Sequence, residues 1–482
     1  MNLSNLPVTA VIGTFFGDEG KGKLVDYLAS SQNFSVIARS AGGSNSAHTI
    51  SHKGQTYTSH LVPSGWNMFQ PSGISSCDTL CLLGNGMVID LAFLLEECKN
   101  IESRFDVSCL SRLRISDRAH LVFPFHKKVD YLQDRKTGVK TTCQGIGPAY
   151  SDKISRRGIR MGTLRDKNKF TLAYWKLVDY HRNIFPELSG FDFQAILDLH
   201  LGQYRDVFLP LLVDSCSLLH RELDQNKNIL VECSQACMLD IDHGFYPFVT
   251  SSSTCVGGVV SGLGLPPQKI STIGVIKAIV TRVTSPSRLP TQFTDEEKKE
   301  ILSWFSPDSL PVDDYKHNLP KAAGLIMNEG SDEVDEDDLL LAKKFFEVDA
   351  SGRPRTCGWF DAVLLKRACQ INGFSALCLN KLDCLSGMKK VKICIGYGPG
   401  LGLDSFSERV SPSSEGISPS SEEPEQVQYL ELPGWEKDIS NLTSWDDLPE
   451  EAKTFIITIE ELVKVPVLYI GTGRDRDSLI VR

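Results

Sequence analysis

A glycine-rich loop near the amino terminus is the feature that most constrains the fold of this chain. Residues 8–12 form a short apolar, β-branched run, residues 17–24 read GDEGKGKL, and Leu24, Val25 and Leu28 then take up helical spacing. In the order strand, loop, helix, glycines let backbone N–H groups approach phosphate oxygens, and the helix contributes its positive end. The loop therefore predicts a site for a phosphorylated ligand, although a bare glycine-rich turn fits the same residues.

The same loop departs from a P-loop at one position. Gly17, Gly22 and Lys23 have P-loop spacing, but Leu24 stands where a serine or threonine hydroxyl holds magnesium. Asp18 lies inside the loop, where a carboxylate is useful as a metal ligand or as a base. We therefore expect Asp18 to fill one of these roles and the lysines to neutralise phosphate charge.

The rest of the chain predicts an α/β fold with a large, mainly parallel central sheet flanked by helices. Strand candidates recur at residues 35–38, 79–83, 229–231, 272–275, 376–379 and 392–395, with helical patterns between several of them. Thr294 and Glu297 form a capping-box pattern that predicts a helix start. Residues 404–426 are rich in Ser, Pro and Glu, which predicts a flexible insertion within a single domain of residues 1–482.

The composition excludes two classes of partner. The formal charge is −9, and neither duplex nucleic acid nor an anionic membrane surface suits a chain without a dense cationic face. No apolar stretch approaches the roughly 20 residues that span a bilayer, and residues 1–7 lack the pattern of a secretion signal. We expect a cytoplasmic protein whose 14 cysteines are reduced thiols.

A second motif, Asn380-Lys381-Leu382-Asp383, directly follows the apolar run 376–379. An aspartate at the end of a strand accepts hydrogen bonds from N1–H and the 2-amino group of guanine, a pattern that adenine lacks. The lysine stem packs on the base. This motif predicts a guanine nucleotide, although a polar turn of this length also occurs by chance.

A third motif, residues 42–49, reads GGSNSAHT and follows the strand candidate 35–38. A lone histidine is more often structural than catalytic. In a loop that approaches a phosphate, however, His48 is suited to stabilise charge on a transferring group or to donate a proton.

Together these motifs resemble the adenylosuccinate synthetase family, and the resemblance spans nearly the whole chain. The blocks stand in the family's order. They are residues 17–26 (GDEGKGKLVD), 42–49 (GGSNSAHT), 145–158 (GIGPAYSDKISRRG), 239–242 (LDID), 246–252 (YPFVTSS), 352–359 (GRPRTCGW) and 381–383 (KLD).

The resemblance implies a P-loop-like GTP-binding ligase fold with inserted subdomains. It also implies a Mg²⁺-dependent ligase that joins IMP to L-aspartate with GTP as co-substrate, through a 6-phosphoryl-IMP intermediate. The products are adenylosuccinate, GDP and phosphate, in the first committed step of AMP synthesis from IMP. Asp18 would remove the N1 proton of IMP, and His48 would stabilise charge during phosphoryl transfer to O6.

The resemblance further implies a site residue by residue, in a homodimer in which Arg156 reaches across the interface. The catalytic residues would be Asp18, His48, Lys21 and Gln235. IMP would be held by Asn45, Thr142, Arg156, Gln235 and Thr250. GTP would be held by Gly17, Glu19, Gly20, Lys21, Gly22, Lys23, Lys381, Asp383, Gly471, Thr472 and Gly473. Aspartate would be held by Ser351, Gly352, Arg353 and Arg355, and the metal by Asp18 and Ala47.

The sequence departs from the family pattern where the amino acid is chosen. Asp349 and Ala350 replace threonines, and Gln144 replaces an arginine. The lost cation and the added Asp349 would both weaken the attraction for a dicarboxylate unless Asp349 points away, while Arg353 and Arg355 remain as charge partners. Two alternatives follow: a paralogue that attaches a different amine to GTP-activated IMP, and a nucleotide-binding regulatory protein without turnover.

Overall fold

The computed structural model describes residues 6–65, 79–105, 107–139, 141–282, 289–305, 336–345, 347, 355–398 and 427–482. The predicted insertion at residues 404–426 lies outside these ranges.

Strands and helices alternate along much of the described chain. The strands are β1 (Val8–Gly13), β2 (Val36–Arg39), β3 (His48–His52), β4 (Gln55–Ser59), β5 (Leu80–Leu83), β6 (Val88–Asp90), β7 (Leu113–Ser116), β8 (His120–Val122), β9 (Leu212–Val213), β10 (Ile229–Glu232), β11 (Ile270–Lys277), β12 (Val280–Arg282), β13 (Thr356–Gly358), β14 (Phe360–Asp361), β15 (Ala376–Asn380), β16 (Lys390–Tyr397), β17 (Val427–Pro433), β18 (Val467–Gly471) and β19 (Leu479–Val481). The helices are α1 (Lys21–Ser31), α2 (Leu91–Phe105), α3 (Cys109–Arg112), α4 (Pro124–Thr137), α5 (Ile146–Ile154), α6 (Lys167–Ile184), α7 (Phe193–Leu199), α8 (Arg205–Phe208), α9 (Ser215–Asp224), α10 (Val256–Leu263), α11 (Asp295–Leu302), α12 (Glu336–Lys344), α13 (Ala362–Asn372) and α14 (Glu450–Val463).

A ten-stranded sheet forms the centre of the described fold, in the order β19, β18, β15, β11, β1, β10, β2, β5, β7 and β9. All neighbours are parallel except β18 and β19. Successive side chains of a strand point to opposite faces: Ala10 and Ile12 pack in one hydrophobic core, and Val11 packs in the other. A sheet covered on both faces is the arrangement that parallel strands require, and it confirms the predicted fold class.

The boundaries of the early elements follow the sequence pattern. Helix α1 begins directly after Gly20, whose φ of 84° is the left-handed conformation that favours glycine. Thr294 caps α11, where its hydroxyl accepts from Glu297 N–H and the Glu297 carboxylate accepts from Thr294 N–H, as the capping box predicts.

One predicted strand belongs to a different sheet. The run 392–395 lies within β16, which pairs with β14 and β17 in a three-stranded sheet; within the described residues it has no partner in the ten-stranded sheet. The prediction that it extends the central sheet was wrong, because an apolar run specifies a buried strand without specifying its neighbour.

Candidate active site

Many of the predicted site residues lie at one edge of the central sheet because parallel strands end on the same side. The glycine-rich loop follows β1, the loop of residues 42–49 follows β2, and Gln235 follows β10. Lys381 follows β15 directly, and Thr472 follows β18. Strand β1 lies between β10 and β11, so the glycine-rich loop occupies the middle of this edge.

The glycine-rich loop is shaped by the buried side chain of Glu19. Its Oε1 accepts hydrogen bonds from Phe15 N–H at 3.1 Å and Gly17 N–H at 2.9 Å. Its Oε2 accepts from Lys21 Nζ at 2.9 Å, and both side chains of this ion pair are buried. Glu19 therefore holds the loop from inside and fixes the ammonium group of Lys21 beside it.

The loop after β10 lies against the loop after β2. A methyl group on Gly42 would lie 2.6 Å from the Ser234 hydroxyl and 3.4 Å from Gln235 Oε1. Gln235 itself has a φ of 52°, a left-handed conformation that costs a residue with a side chain of the order of 1–3 kcal/mol. Such a cost is typical of functional sites, where neighbouring contacts hold the residue in place.

Four polar atoms in these loops are buried without a hydrogen-bond partner among the described residues. They are Oε1 and Nε2 of Gln235, Oδ1 of Asn45 and Oγ of Ser44. Buried amide groups are nearly always hydrogen-bonded, and leaving one unsatisfied costs about 1–3 kcal/mol. These atoms therefore indicate a site where a polar ligand would supply the hydrogen bonds that they lack.

His48 is held by a buried carboxylate at the end of β10. Its Nδ1 lies 2.6 Å from Glu232 Oε1, and Glu232 Oε2 accepts from Ser64 N–H at 2.7 Å. Burial lowers the pKa of His48, and the Glu232 charge opposes this shift. Burial alone would raise the pKa of Glu232, but the charge and hydrogen bond of His48 lower it to about 2. A carboxylate that fixes a histidine through Nδ1 leaves Nε2 to act on a ligand.

Asp18 is paired with an arginine from a distant part of the chain. Its Oδ2 lies 2.7 Å from a terminal nitrogen of Arg355, and the Asp18 side chain remains 42% exposed. The other terminal nitrogen of Arg355 donates to Glu347 Oε2 at 3.0 Å. Glu347 is buried and also accepts from Lys277 at 2.9 Å and from Lys381 at 2.5 Å. One carboxylate thus anchors cations from the candidate aspartate and guanine sites.

The guanine motif is tied to the glycine-rich loop. Asn380 Nδ2 donates to the carbonyl oxygen of Glu19 at 2.7 Å. Lys23 donates to the carbonyl oxygens of Gly473 at 2.8 Å and Ser478 at 2.6 Å, and burial lowers its pKa to about 8. Lys23 therefore connects the start of α1 to the Gly471-Thr472-Gly473 turn. The sequence predicted only that Lys23 lies beside the phosphates of GTP.

Comparisons with known proteins decide the family. A family model described as adenylosuccinate synthetase matches residues 10–480. The chain is 40% identical to Adenylosuccinate synthetase 2, chloroplastic, of Oryza sativa subsp. japonica, over 98% of this chain and 86% of that protein. It is 38% identical to the adenylosuccinate synthetase of Halorhodospira halophila, over 98% of each chain.

A solved structure of fully ligated adenylosuccinate synthetase from Plasmodium falciparum has a TM-score of 0.80 and 32% identity, and the match covers 99% of this chain and all of that one. The chain belongs to the adenylosuccinate synthetase family. As a family member it is a GTP-dependent ligase that converts IMP and aspartate to adenylosuccinate, as the sequence predicted. Within the described residues, no helix has the length and apolar character needed to cross a bilayer.

The remaining residues that the family resemblance singled out lie in three settings. Thr142, Arg156 and Ala47 are exposed, and Thr250 is half-buried in the loop that returns to Leu239. Asp383 begins a short 3₁₀ turn after β15, where burial raises the pKa of its carboxyl. Ser351, Gly352, Arg353 and the divergent Asp349 and Ala350 lie outside the described residues.

Sequence reasoning missed two buried carboxylates, Glu232 and Glu347. It also missed their cationic partners, Arg39 at 3.8 Å from Glu232 and Lys277 at 2.9 Å from Glu347. Glu232 ends an apolar strand, as Lys277 ends β11, and a charged residue at the carboxyl end of a parallel strand is the signal that points to a site. Glu347 follows α12 without such a signal.

Proposed function

We propose that these residues carry out the family reaction in two steps. The γ-phosphoryl group of GTP is transferred to O6 of IMP, and the amine of aspartate then displaces phosphate. The observation that carries this proposal is the set of unpartnered buried atoms of Gln235 and Asn45 beside the glycine-rich loop. The hypoxanthine ring has an amide-like edge with a donor at N1 and an acceptor at O6, which is the complement of a carboxamide side chain.

In the first step Asp18 takes the N1 proton of IMP, so that negative charge develops on O6. O6 attacks the γ-phosphorus while the bond to the departing GDP oxygen breaks. His48 and Lys21 stabilise charge on the transferring group. In the second step the amine attacks C6, and the former O6 leaves with phosphate. Phosphorylation is needed because a hydroxypurine oxygen is a poor leaving group.

The pairing of Asp18 with Arg355 supports an exchange of partners during the reaction. For Asp18 to reach N1, Arg355 must release its contact, and a carboxylate of L-aspartate is the natural replacement. The second contact of Arg355, with Glu347, keeps the guanidinium in place during this exchange. Arg353, Gly352 and Ser351 complete the proposed aspartate site.

The donors expected for Mg²⁺ fit that ion in type. Asp18 offers a partly exposed carboxylate, and Ala47, an exposed residue, offers its backbone carbonyl; both are hard oxygen ligands of the kind that Mg²⁺ selects. When bound, the ion neutralises charge on the phosphates of GTP. The chain itself supplies Lys21 for the same purpose, positioned by Glu19.

We propose a homodimer in which Arg156 reaches the 5′-phosphate of IMP in the neighbouring subunit. Arg156 is exposed at the end of α5 with a φ of 64°. Ile154, two residues earlier, is 78% exposed, and Ile184, which lines the same pocket as Arg157, is 49% exposed. Exposed apolar side chains of this kind are suited to burial against a second copy.

An isotope experiment tests the two steps together. IMP labelled with ¹⁸O at position 6 is incubated with GTP, Mg²⁺ and aspartate, and mass spectrometry follows both products. The proposal expects adenylosuccinate without the label and inorganic phosphate that carries it. Unlabelled phosphate would contradict the 6-phosphoryl intermediate, and product formed with another amine but not with aspartate would contradict the choice of L-aspartate.

We also propose a cytoplasmic location, which the sequence predicted; the plant relatives are named as chloroplastic. Microscopy of a carboxyl-terminally tagged chain in its own cell tests this proposal, and a signal confined to an organelle would overturn it.

A further inference from the structure

Asp152, in the last turn of α5, holds the turn that carries Arg156. Asp152 accepts at its backbone oxygen from Arg157 N–H at 3.0 Å and Gly158 N–H at 2.9 Å. Its side-chain Oδ1 accepts from Arg157 Nε at 2.7 Å. Asp152 therefore binds Arg157, the residue that follows Arg156, through both its backbone oxygen and its side chain.

These hydrogen bonds to Asp152 matter because the Arg156 backbone is strained. A φ of 64° places Arg156 in the left-handed region, which costs a residue with a Cβ roughly 1–2 kcal/mol. The conformation persists only while neighbouring contacts over-determine it. In the described residues, those contacts include the hydrogen bonds to Asp152 and the one from Arg156 N–H to the Lys153 oxygen at 3.1 Å.

Asp152 is itself fixed between two helices. Its Oδ2 accepts from His126 Nε2 of α4 at 3.0 Å and lies 2.7 Å from His181 Nε2 of α6, and the Asp152 side chain is 2% exposed. Burial alone would raise the pKa of Asp152, but the hydrogen bonds from the two histidines outweigh this and lower it below its usual range. The carboxylate therefore stays charged and keeps its ion pair with Arg157.

The cluster of two histidines and one carboxylate has the composition of a metal site, but its hydrogen bonds favour another assignment. His126 Nδ1 accepts from Phe123 N–H at 3.0 Å, so the ring proton lies on Nε2. A protonated nitrogen donates to Asp152 and does not ligate a cation. The geometry therefore indicates a hydrogen-bonded support.

We propose that Asp152 is a positioning residue that holds Arg156 in the conformation in which it reaches the IMP phosphate of the neighbouring subunit. This inference rests on the proposed role of Arg156 across the dimer interface. Asp152 touches no substrate in this account, and its effect passes through Arg157 and the turn. The substrate whose binding it controls is IMP, because Arg156 acts on the 5′-phosphate.

Asp152→Asn tests the inference by steady-state kinetics of the full-length enzyme. Asn keeps the shape of the side chain but loses the charge that holds Arg157. We expect KM for IMP to rise roughly tenfold to a hundredfold, as for a small misplacement of a binding group. KM for GTP should stay within about twofold. Asp166→Asn is the matched control, because the Asp166 side chain caps α6 by accepting from Asn168 N–H and Lys169 N–H, and none of its hydrogen bonds within the described residues involves this turn.

Subunit mixing separates positioning from a general loss of structure. In a mixed dimer of Asp152→Asn and Gln235→Ala chains, the Asp152→Asn subunit has its own intact IMP loops and receives Arg156 from its partner. This site should regain the wild-type KM for IMP. A structural defect inside the Asp152→Asn subunit would leave the mixed dimer as weak as the single variant and would overturn the inference.

Arg156→Ala distinguishes failure of the inference from failure of its premise. If Arg156→Ala raises KM for IMP and Asp152→Asn does not, Asp152 is not the positioning residue and the proposed role of Arg156 stands. If Arg156→Ala leaves KM for IMP unchanged, the role of Arg156 is wrong and the inference fails with it.

Discussion

Asp18 is the residue on which the proposed chemistry depends most directly. It has a left-handed backbone at a φ of 57°, and its carboxylate holds Arg355 at 2.7 Å. The same carboxylate is proposed to take a proton and to hold Mg²⁺. These roles need a side chain that exchanges partners, which is consistent with its 42% exposure.

Asp18→Asn should abolish adenylosuccinate formation while GTP binding is largely retained. A carboxamide does not take the N1 proton, whereas the backbone of the glycine-rich loop still meets the phosphates. A loss of at least a hundredfold in kcat is expected, as for removal of a general base. Product assays and equilibrium binding of GTP measure the two effects, and substantial turnover would refute the role as base.

His48 should take up a proton when nucleotide binds. Burial lowers its pKa in the free chain, so the ring is mostly neutral near pH 7.5. An approaching γ-phosphoryl group favours the charged ring, and up to about one proton per site should be bound. Calorimetry of GTP and IMP binding in buffers of different ionisation enthalpy measures this uptake. His48→Gln is the control, and equal uptake by that variant would assign the proton elsewhere.

Asp383→Asn should relax the preference for guanine. The variant loses the paired acceptor for N1–H and the 2-amino group, so the ratio of kcat/KM for GTP to that for ATP should fall at least tenfold. Unchanged discrimination would contradict the assignment of Asp383 as the base reader. Lys389→Gln, in the same connection to β16 but outside the motif, is a suitable control.

At the level of residues, sequence patterns singled out candidate groups in recognisable loops and missed the buried groups that support them. Asp18, His48 and Lys381 lie in short motifs that chemistry makes specific. Glu232 and Glu347 hold His48 and Lys381 through contacts between residues 184 and 34 positions apart. A pairing of this kind depends on the folded chain and has no local pattern.

At the level of elements, the predicted strands that begin the site loops were found because each is apolar and ends at a polar loop. Among the ten strands of the central sheet, the sequence did not predict β7, β9, β18 or β19. Strand β9 has only two residues, and Arg114 interrupts the apolar character of β7. Which strands pair with which is set by long-range packing, and for this reason the placement of β16 was predicted wrongly.

Asp361 provides a test of a helix cap that depends on pH. It caps α13 by accepting from Val363 N–H and Leu364 N–H, each at 3.0 Å. Burial raises its pKa to about 6, against hydrogen bonds that lower it. Because the folded pKa exceeds the unfolded one, this group contributes stability that is present below about pH 4 and is lost as pH rises through 6.

The stability advantage of the wild-type chain over Asp361→Asn should therefore shrink by about 1 kcal/mol between pH 5 and pH 7.5. Asn also caps helices but stays neutral. Urea unfolding of both chains at the two pH values measures the difference. Asp214→Asn, at the exposed cap of α9, should show no such change, because the pKa of Asp214 is lowered and its effect falls below pH 4. An advantage that grows with pH would contradict the assignment.

At the level of the whole molecule, the proposed dimer makes activity depend on concentration. Ile154→Glu should weaken association at least tenfold, because burying a charge costs more than exposing the isoleucine. Specific activity should then fall on dilution as Arg156 is withdrawn from the neighbouring site. Light scattering and dilution assays measure the two effects. Ile457→Glu, a 41% exposed position on α14, is the control, and a monomeric wild type with full activity would exclude the dimer.

The bonds from Lys23 to the carbonyl oxygens of Gly473 and Ser478 join residues 450 and 455 positions apart. Almost the entire polypeptide must therefore be synthesised before the proposed guanine site is complete. Chains that are still being synthesised, or that end early, lack Gly473 and Ser478, to which Lys23 donates. We therefore expect such chains to be unable to consume GTP.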